Sequence, residues 1–118
     1  MHVPKRCLSL TLALAATAFA ATPMIASAAS GKALYSQHCA MCHGPSGKGA
    51  VPGAPDFTKA GGVLAQSDSV LTHRVLNGYK SSGSPMAMPP QKSVVSKSQV
   101  HEILEYMHKA FGVAAKSG

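Results

Sequence analysis

Cys39, Ala40, Met41, Cys42 and His43 are consecutive, so two thiols stand two residues apart and an imidazole follows the second directly. No other five residues restrict the fold of this chain as strongly. C-x-x-C-H is the attachment pattern of a covalently held c-type haem. With three Cys and six His in 118 residues, independent residue usage would produce the pattern only about 0.004 times per chain. A structural zinc site would need another Cys or His pair at ligand spacing, and a thioredoxin-like dithiol would need a βαβ setting. Neither is visible. The chemistry explains the spacing: across a two-residue gap, both sulfurs reach the two vinyl groups on one porphyrin edge from a single turn of backbone. His43 then falls beneath the iron as its proximal ligand, and Gly44 lets the chain leave the haem edge without a side-chain clash.

The rest of the chain is short of material for a core. At 118 residues it builds one domain, and much of its 46% hydrophobic content is alanine in the first thirty residues, with no Trp, three Phe and three Tyr. Residues 1–28 read as a secretory signal: Lys5 and Arg6 form the charged start, Leu8 to Ala21 the apolar run, and Ala26-Ser27-Ala28 the small residues at the cleavage site. The apolar stretch counted from Cys7 to Ala29 is long enough for a membrane anchor, but Pro23 and the small-residue end favour cleavage after Ala28. Residues 29–118 are then the single domain, Cys7 leaves with the signal, and no later segment could span a membrane. About ninety residues with few large side chains are of the size that a cofactor usually has to complete.

Hydrophobic periodicity predicts an all-α domain. Val100, Ile103, Leu104, Met107 and Phe111 share one helix face, with Glu102, Glu105, His108 and Lys109 on the other; Ser96 and Gln99 form a capping-box pair and Gly112 is the stop. A second helix is expected from Val70 to Asn77, capped by Ser67 and ended by Gly78, and a third starts after Ser30 and carries Leu34 and Tyr35 toward Cys39. No segment alternates convincingly enough for a strand. The intervening stretches Gly44 to Pro55 and Gly78 to Pro90 are rich in Gly and Pro and read as loops. A haem between them would give Val51, Phe57, Val63, Leu64 and Met86 a common surface, although ordinary burial in the core accounts for each residue separately.

Motifs in three places, in one order, resemble the class I cytochromes c, specifically the small single-haem bacterial members, over nearly all of residues 29–118. Gly31-Lys32-Ala33-Leu34-Tyr35 is similar to that family's N-terminal helix, leading into Cys39-Ala40-Met41-Cys42-His43-Gly44; Met88-Pro89-Pro90 is similar to its distal-ligand loop, and Val100 to Phe111 to its closing helix. The resemblance implies one covalent haem c, thioethers at Cys39 and Cys42, His43 as proximal and Met88 as distal axial ligand. Met86 is the second choice for the distal position and His73 the rival from the middle helix, since His/Met ligation is the commoner small-cytochrome arrangement. His38 would point away from the iron, and His101 and His108 are expected to be solvated. The resemblance also implies that a proline carbonyl, best matched by Pro55 with Pro52 the nearby alternative, accepts the Nδ1–H of His43, with Phe57 standing where the family more often has Leu.

Charge bears on partners. Of eleven basic residues nine remain after Lys5 and Arg6 are removed, against four acids, a formal +5 that two haem propionates would reduce to about +3. The lysines are dispersed, without runs or aromatic interleaving, which argues against nucleic acid and for steering toward acidic redox partners. The function expected is that of an exported, periplasmic, monomeric carrier passing single electrons between redox proteins, with no catalysis of its own. Two alternatives are a cytochrome subunit of a specific dehydrogenase or sulfur-oxidising complex, and a haem sensor or peroxidase-like protein with an open distal site.

Overall fold

The computed structural model describes residues 29–117, so the expected signal over residues 1–28 lies outside them. Among the described residues four α-helices follow in order, α1 Gly31–His38, α2 Ala40–His43, α3 Asp68–Asn77 and α4 Lys97–Phe111, with a 3-10 turn Val63–Ala65 ahead of α3. Among the described residues there is no strand, and one isolated antiparallel bridge joins Tyr79 to Met88. The all-α expectation holds.

The core is built where α1 crosses α4. The Ser30 hydroxyl caps α1 by accepting the Ala33 N–H at 3.3 Å, and the helix buries Gly31, Leu34 and Tyr35. A Cβ at Gly31 would stand 1.9 Å from the Glu102 carbonyl oxygen, so the two helix backbones touch at a point that only glycine permits. α4 contributes Val100, Ile103, Leu104 and Met107 to the same interface. Burying each such side chain stabilises the fold by roughly 1.5–3 kcal/mol. The capping box of α4 is complete: the Gln99 N–H donates to Ser96 Oγ at 3.3 Å, and the Ser96 N–H donates to Gln99 Oε1 at 2.8 Å. Such a cap contributes about 1 kcal/mol, so packing holds this helix in place and the cap decides where it starts.

α3 begins at Asp68, two residues before the expected Val70, and its Ser67 cap makes no side-chain bond to the backbone; the Ser67 hydroxyl pairs with that of Ser69 at 3.1 Å instead. The Asp68 carboxylate in the first turn complements the helix dipole. Of the loop residues expected to share one surface, Phe57 and Leu64 are buried with the α1–α4 core, Val51 and Val63 are half-buried, and Met86 is 52% exposed.

One histidine departs from expectation. His101 is exposed, 3.7 Å from Glu105, but His108 is largely buried: Nε2 lies 2.9 Å from Asp68 Oδ1, and Nδ1 contacts the Val113 carbonyl. The cause is the chain beyond α4, which turns at Gly112, buries Val113 and bonds the Lys116 N–H to the Ala65 carbonyl at 3.1 Å. That return covers what the helix pattern alone presents as a solvated face.

Candidate functional site

Cys39 closes α1 by donating its N–H to the Tyr35 carbonyl, and the next four residues, Ala40 to His43, form α2 as a single helical turn. The turn is closed by His43 N–H to Cys39 O at 2.9 Å and by Gly44 N–H to Ala40 O at 2.8 Å. Gly44 then leaves at φ 78°, a backbone conformation that glycine adopts without strain. The one-turn geometry expected from the C-x-x-C-H spacing is therefore present. Cys39 is half-buried and Cys42 exposed, and both are free thiols. Burial, reinforced by neighbouring Cys42, pushes the Cys39 thiol up to about 11.

The following loop folds back onto this turn and bonds its last carbonyls. Cys42 O accepts N–H bonds from Ala50 and Val51, His43 O accepts from Gly49 at 2.8 Å, and Gly44 O accepts from Gly47 at 3.2 Å. Gly44 O also accepts the Tyr35 hydroxyl at 2.6 Å. The His43 ring stacks on Phe57, centroids 4.7 Å apart and planes inclined by 26°, and Phe57 in turn stacks on Phe111 of α4 at 6.3 Å. Phe57 is held there by its N–H, which donates to Gly47 O at 2.7 Å.

His43 Nδ1 is buried without a hydrogen-bond partner. The bond expected from this nitrogen to the Pro55 carbonyl is not made; the stacked Phe57 is what the ring rests on. Desolvation by burial lowers the pKa of His43, favouring the neutral imidazole, the form that offers a lone pair to a metal.

Met88 belongs to the loop from Gly78 to Pro90, which is anchored on α3. Tyr79 and Met88 exchange backbone bonds at 3.0 and 2.8 Å, while the Gln91 and Lys92 N–H groups donate to the Val75 and Leu76 carbonyls in the last turns of α3. Both ends of the loop are thus fastened to one helix end. Met88 is half-buried and followed by Pro89-Pro90, whereas Met86 stands out into solvent. His73 is exposed on α3, where its backbone carbonyl accepts Asn77 Nδ2 at 3.0 Å.

Three features of this region were not read from the sequence. The Tyr35 hydroxyl bond to Gly44 crosses from one helix to another and had no periodic signal, although Tyr35 lies four residues before Cys39. The Phe57–His43 stack depends on a loop path. The Arg74 guanidinium sits 3.9 Å from the centre of the Tyr79 ring across the end of α3, a contact that no helix spacing describes.

A c-type haem fits the donor set. It calls for two free thiols on one turn, a neutral imidazole directly after them, and a soft sulfur from a separate rigid loop. Among the described residues no hydrogen bond at Nδ1 fixes the imidazole, and coordination of a metal by the other ring nitrogen would hold the ring in place.

Comparison with known proteins agrees. Residues 26–107 match the family described as Cytochrome C oxidase, cbb3-type, subunit III. The Cbb3-type cytochrome c oxidase subunit FixP of Azorhizobium caulinodans is 32% identical over 90 residues, which are 73% of this chain and 30% of that protein. The chain therefore spans less than a third of the curated relative it matches. Among solved structures, Cytochrome CL from the marine methylotrophic bacterium Methylophaga aminisulfidivorans matches with a TM-score of 0.51 at 19% identity, covering 70% of this chain and 52% of that one; this likeness shows a shared fold. The cofactor of such a domain is haem c, and a chain of this size takes one. The chain belongs to the c-type cytochromes, within the family of Cytochrome C oxidase, cbb3-type, subunit III.

Proposed function

We propose that this cytochrome is an exported carrier of single electrons between redox proteins. Cys39 and Cys42 hold the haem as thioethers, His43 supplies the proximal nitrogen and Met88 the distal sulfur. The observation that carries this reading is the His43 imidazole, its Nδ1 buried, placed directly after a pair of free thiols on one helical turn. Haem c, when bound, supplies a one-electron Fe(III)/Fe(II) couple.

The residues around it have separate tasks. Phe57, buried and stacked on the imidazole, keeps water from that side of His43. The Met88 thioether is a soft ligand that favours Fe(II) and raises the potential relative to a second imidazole. Pro89 restricts Met88 to extended backbone, and the backbone bonds to Tyr79 keep it in register with α3. The dispersed lysines, including Lys32, Lys48, Lys80 and Lys92, favour acidic docking surfaces on the partners. The pattern of residues 1–28 supports a periplasmic location.

A second reading has a specific observation behind it. The matched family and the FixP relative are both described as cbb3-type oxidase subunits, which favours service within a terminal-oxidase complex over the dehydrogenase or sulfur-oxidising complex first considered. Mediated redox titration of the purified protein, with carbon monoxide added to the reduced form, tests the main proposal. A single one-electron couple and no carbon monoxide adduct at neutral pH are expected. Adduct formation would replace the carrier reading with an open distal site, as in a sensor or peroxidase-like protein.

A further inference from the structure

The Tyr35 ring is 1% exposed, and its hydroxyl is committed to one acceptor, the Gly44 carbonyl oxygen at 2.6 Å. Gly44 is the residue after His43 and terminates α2, its own N–H bonding to Ala40 O. Both polar groups of this glycine are therefore taken, its N–H inside the attachment turn and its carbonyl by the Tyr35 hydroxyl of α1 together with the Gly47 N–H at 3.2 Å. The Tyr35 ring itself is wedged against α4, with centroids 5.6 Å from both Tyr106 and Phe111. From Phe111 the contacts continue to Phe57 and from Phe57 to His43. The path closes on itself: the His43 ring is reached through stacked aromatics, and the backbone beside it through the Tyr35 hydroxyl.

Within that closed path the His43 ring has no hydrogen bond of its own at Nδ1. Its plane is consequently set by ring stacking on one side and by the position of the α2 backbone on the other. Stacking on Phe57 is non-directional within the ring plane, because it contributes packing and no hydrogen bond to the imidazole. The backbone has to supply that restraint: the attachment turn is held by its own N–H bonds and those of the following loop, and the Tyr35 hydroxyl on Gly44 O adds a buried side-chain bond that ties the residue beside His43 to α1.

We propose that the Tyr35 hydroxyl is a positioning group for the His43 imidazole, fixing the orientation of the proximal ligand through Gly44. This rests on His43 being the proximal ligand as proposed above. Tyr35→Phe keeps the wedge between Tyr106 and Phe111 and removes only the hydrogen bond.

The test uses the haem-loaded protein and compares wild type, Tyr35→Phe and Tyr106→Phe, the last removing the hydroxyl of a neighbouring α4 ring. The readouts are the hyperfine-shifted haem-methyl resonances of the oxidised form, which report the plane of the axial imidazole, and the Fe(III)/Fe(II) ratio against a fixed mediator. Tyr35→Phe is expected to rearrange the haem-methyl pattern and change the ratio by threefold or more, about 28 mV for a one-electron couple. Tyr106→Phe should leave both at the wild-type values. A Tyr35→Phe protein that only melts at a lower temperature, with both readouts unchanged, would overturn the proposal and leave Tyr35 a packing residue. If His43 were not the iron ligand, His43→Ala would leave the wild-type haem-methyl pattern in place, which separates failure of the ligand assignment from failure of the positioning role.

Discussion

His108 Nε2 lies 2.9 Å from Asp68 Oδ1, joining the last turns of α4 to the first residue of α3. The other ring nitrogen contacts the Val113 carbonyl, so one imidazole ties together α3, α4 and the returning C-terminal segment. The His108 side chain is only 17% exposed. A bond in that position is less screened than a surface pair and stabilises more.

Replacing His108 by Ala is therefore expected to destabilise the haem-loaded protein by about 1.5–3 kcal/mol, the range for a hydrogen bond to a charged group. Asp68→Asn should cost less, since Val113 keeps its contact. Urea unfolding of both single variants and the double variant measures their coupling. Purely additive effects would show that the two side chains do not support one another.

Covalent attachment is expected to need both thiols. Cys39→Ala or Cys42→Ala should leave at most one thioether, and the double variant should release its haem to acid acetone. With the centre of a small core removed, that variant should also lose most of its far-ultraviolet helical signal. A haem-free double variant with an unchanged helical spectrum would show that the α1–α4 interface folds unaided.

Much of this architecture was legible in the order of residues because it is periodic. The apolar face of α4, the Ser96–Gln99 box and the C-x-x-C-H turn each depend on residues a few positions apart, and each stands as expected. What was not legible depends on chain return. His108 looked solvated because its cover, Val113, lies beyond the helix and is brought back by a turn. The Pro55 carbonyl looked available to His43 because a loop path cannot be computed from spacing, and the structure places the Phe57 ring against the imidazole instead. Met86 and Met88 look equivalent by alternation, yet backbone pairing with Tyr79 fixes only one of them.

Acid stability should depend on Asp56. Its carboxylate accepts the Thr58 hydroxyl at 2.6 Å and the Thr58 N–H at 2.9 Å, and these bonds hold its pKa below the usual 3.8. A carboxyl depressed in the folded state binds its proton less tightly there than in the unfolded chain. Its contribution is therefore present above the unfolded pKa and lost as pH falls through the folded one. Wild type should melt above Asp56→Asn at neutral pH, and the gap should close below about pH 4. A gap independent of pH would remove this carboxylate from the acid response.

Docking should weaken with salt. The nine basic and four acidic residues of positions 29–118 attract an acidic partner over a distance that screening shortens to about 8 Å at physiological ionic strength. Stopped-flow electron transfer to an acidic redox protein should slow steadily as salt is added. A rate that is flat or rises with salt would exclude cationic steering.

The sharpest test of the distal ligand separates two methionines that lie two residues apart. Met88 precedes Pro89-Pro90, and its backbone is paired to Tyr79 in both directions, at 2.8 and 3.0 Å. Met86 is followed by Ala87, is 52% exposed, and has its carbonyl held by the Ser84 hydroxyl at 2.7 Å. An axial ligand must stay in place when the iron changes charge, and a backbone with both hydrogen bonds made and φ of the next residue fixed by proline resists that displacement better. Met88→Ala should abolish the sulfur-to-iron charge-transfer band, lower the potential and open the reduced iron to carbon monoxide. Met86→Ala should keep the band and change stability by less than about 1 kcal/mol, as expected for an exposed side chain. The reverse pattern would move the ligand to Met86, a band that survives in both variants would show the two sulfurs standing in for one another, and a wild type without the band would leave His73 on α3 as the residue to replace next.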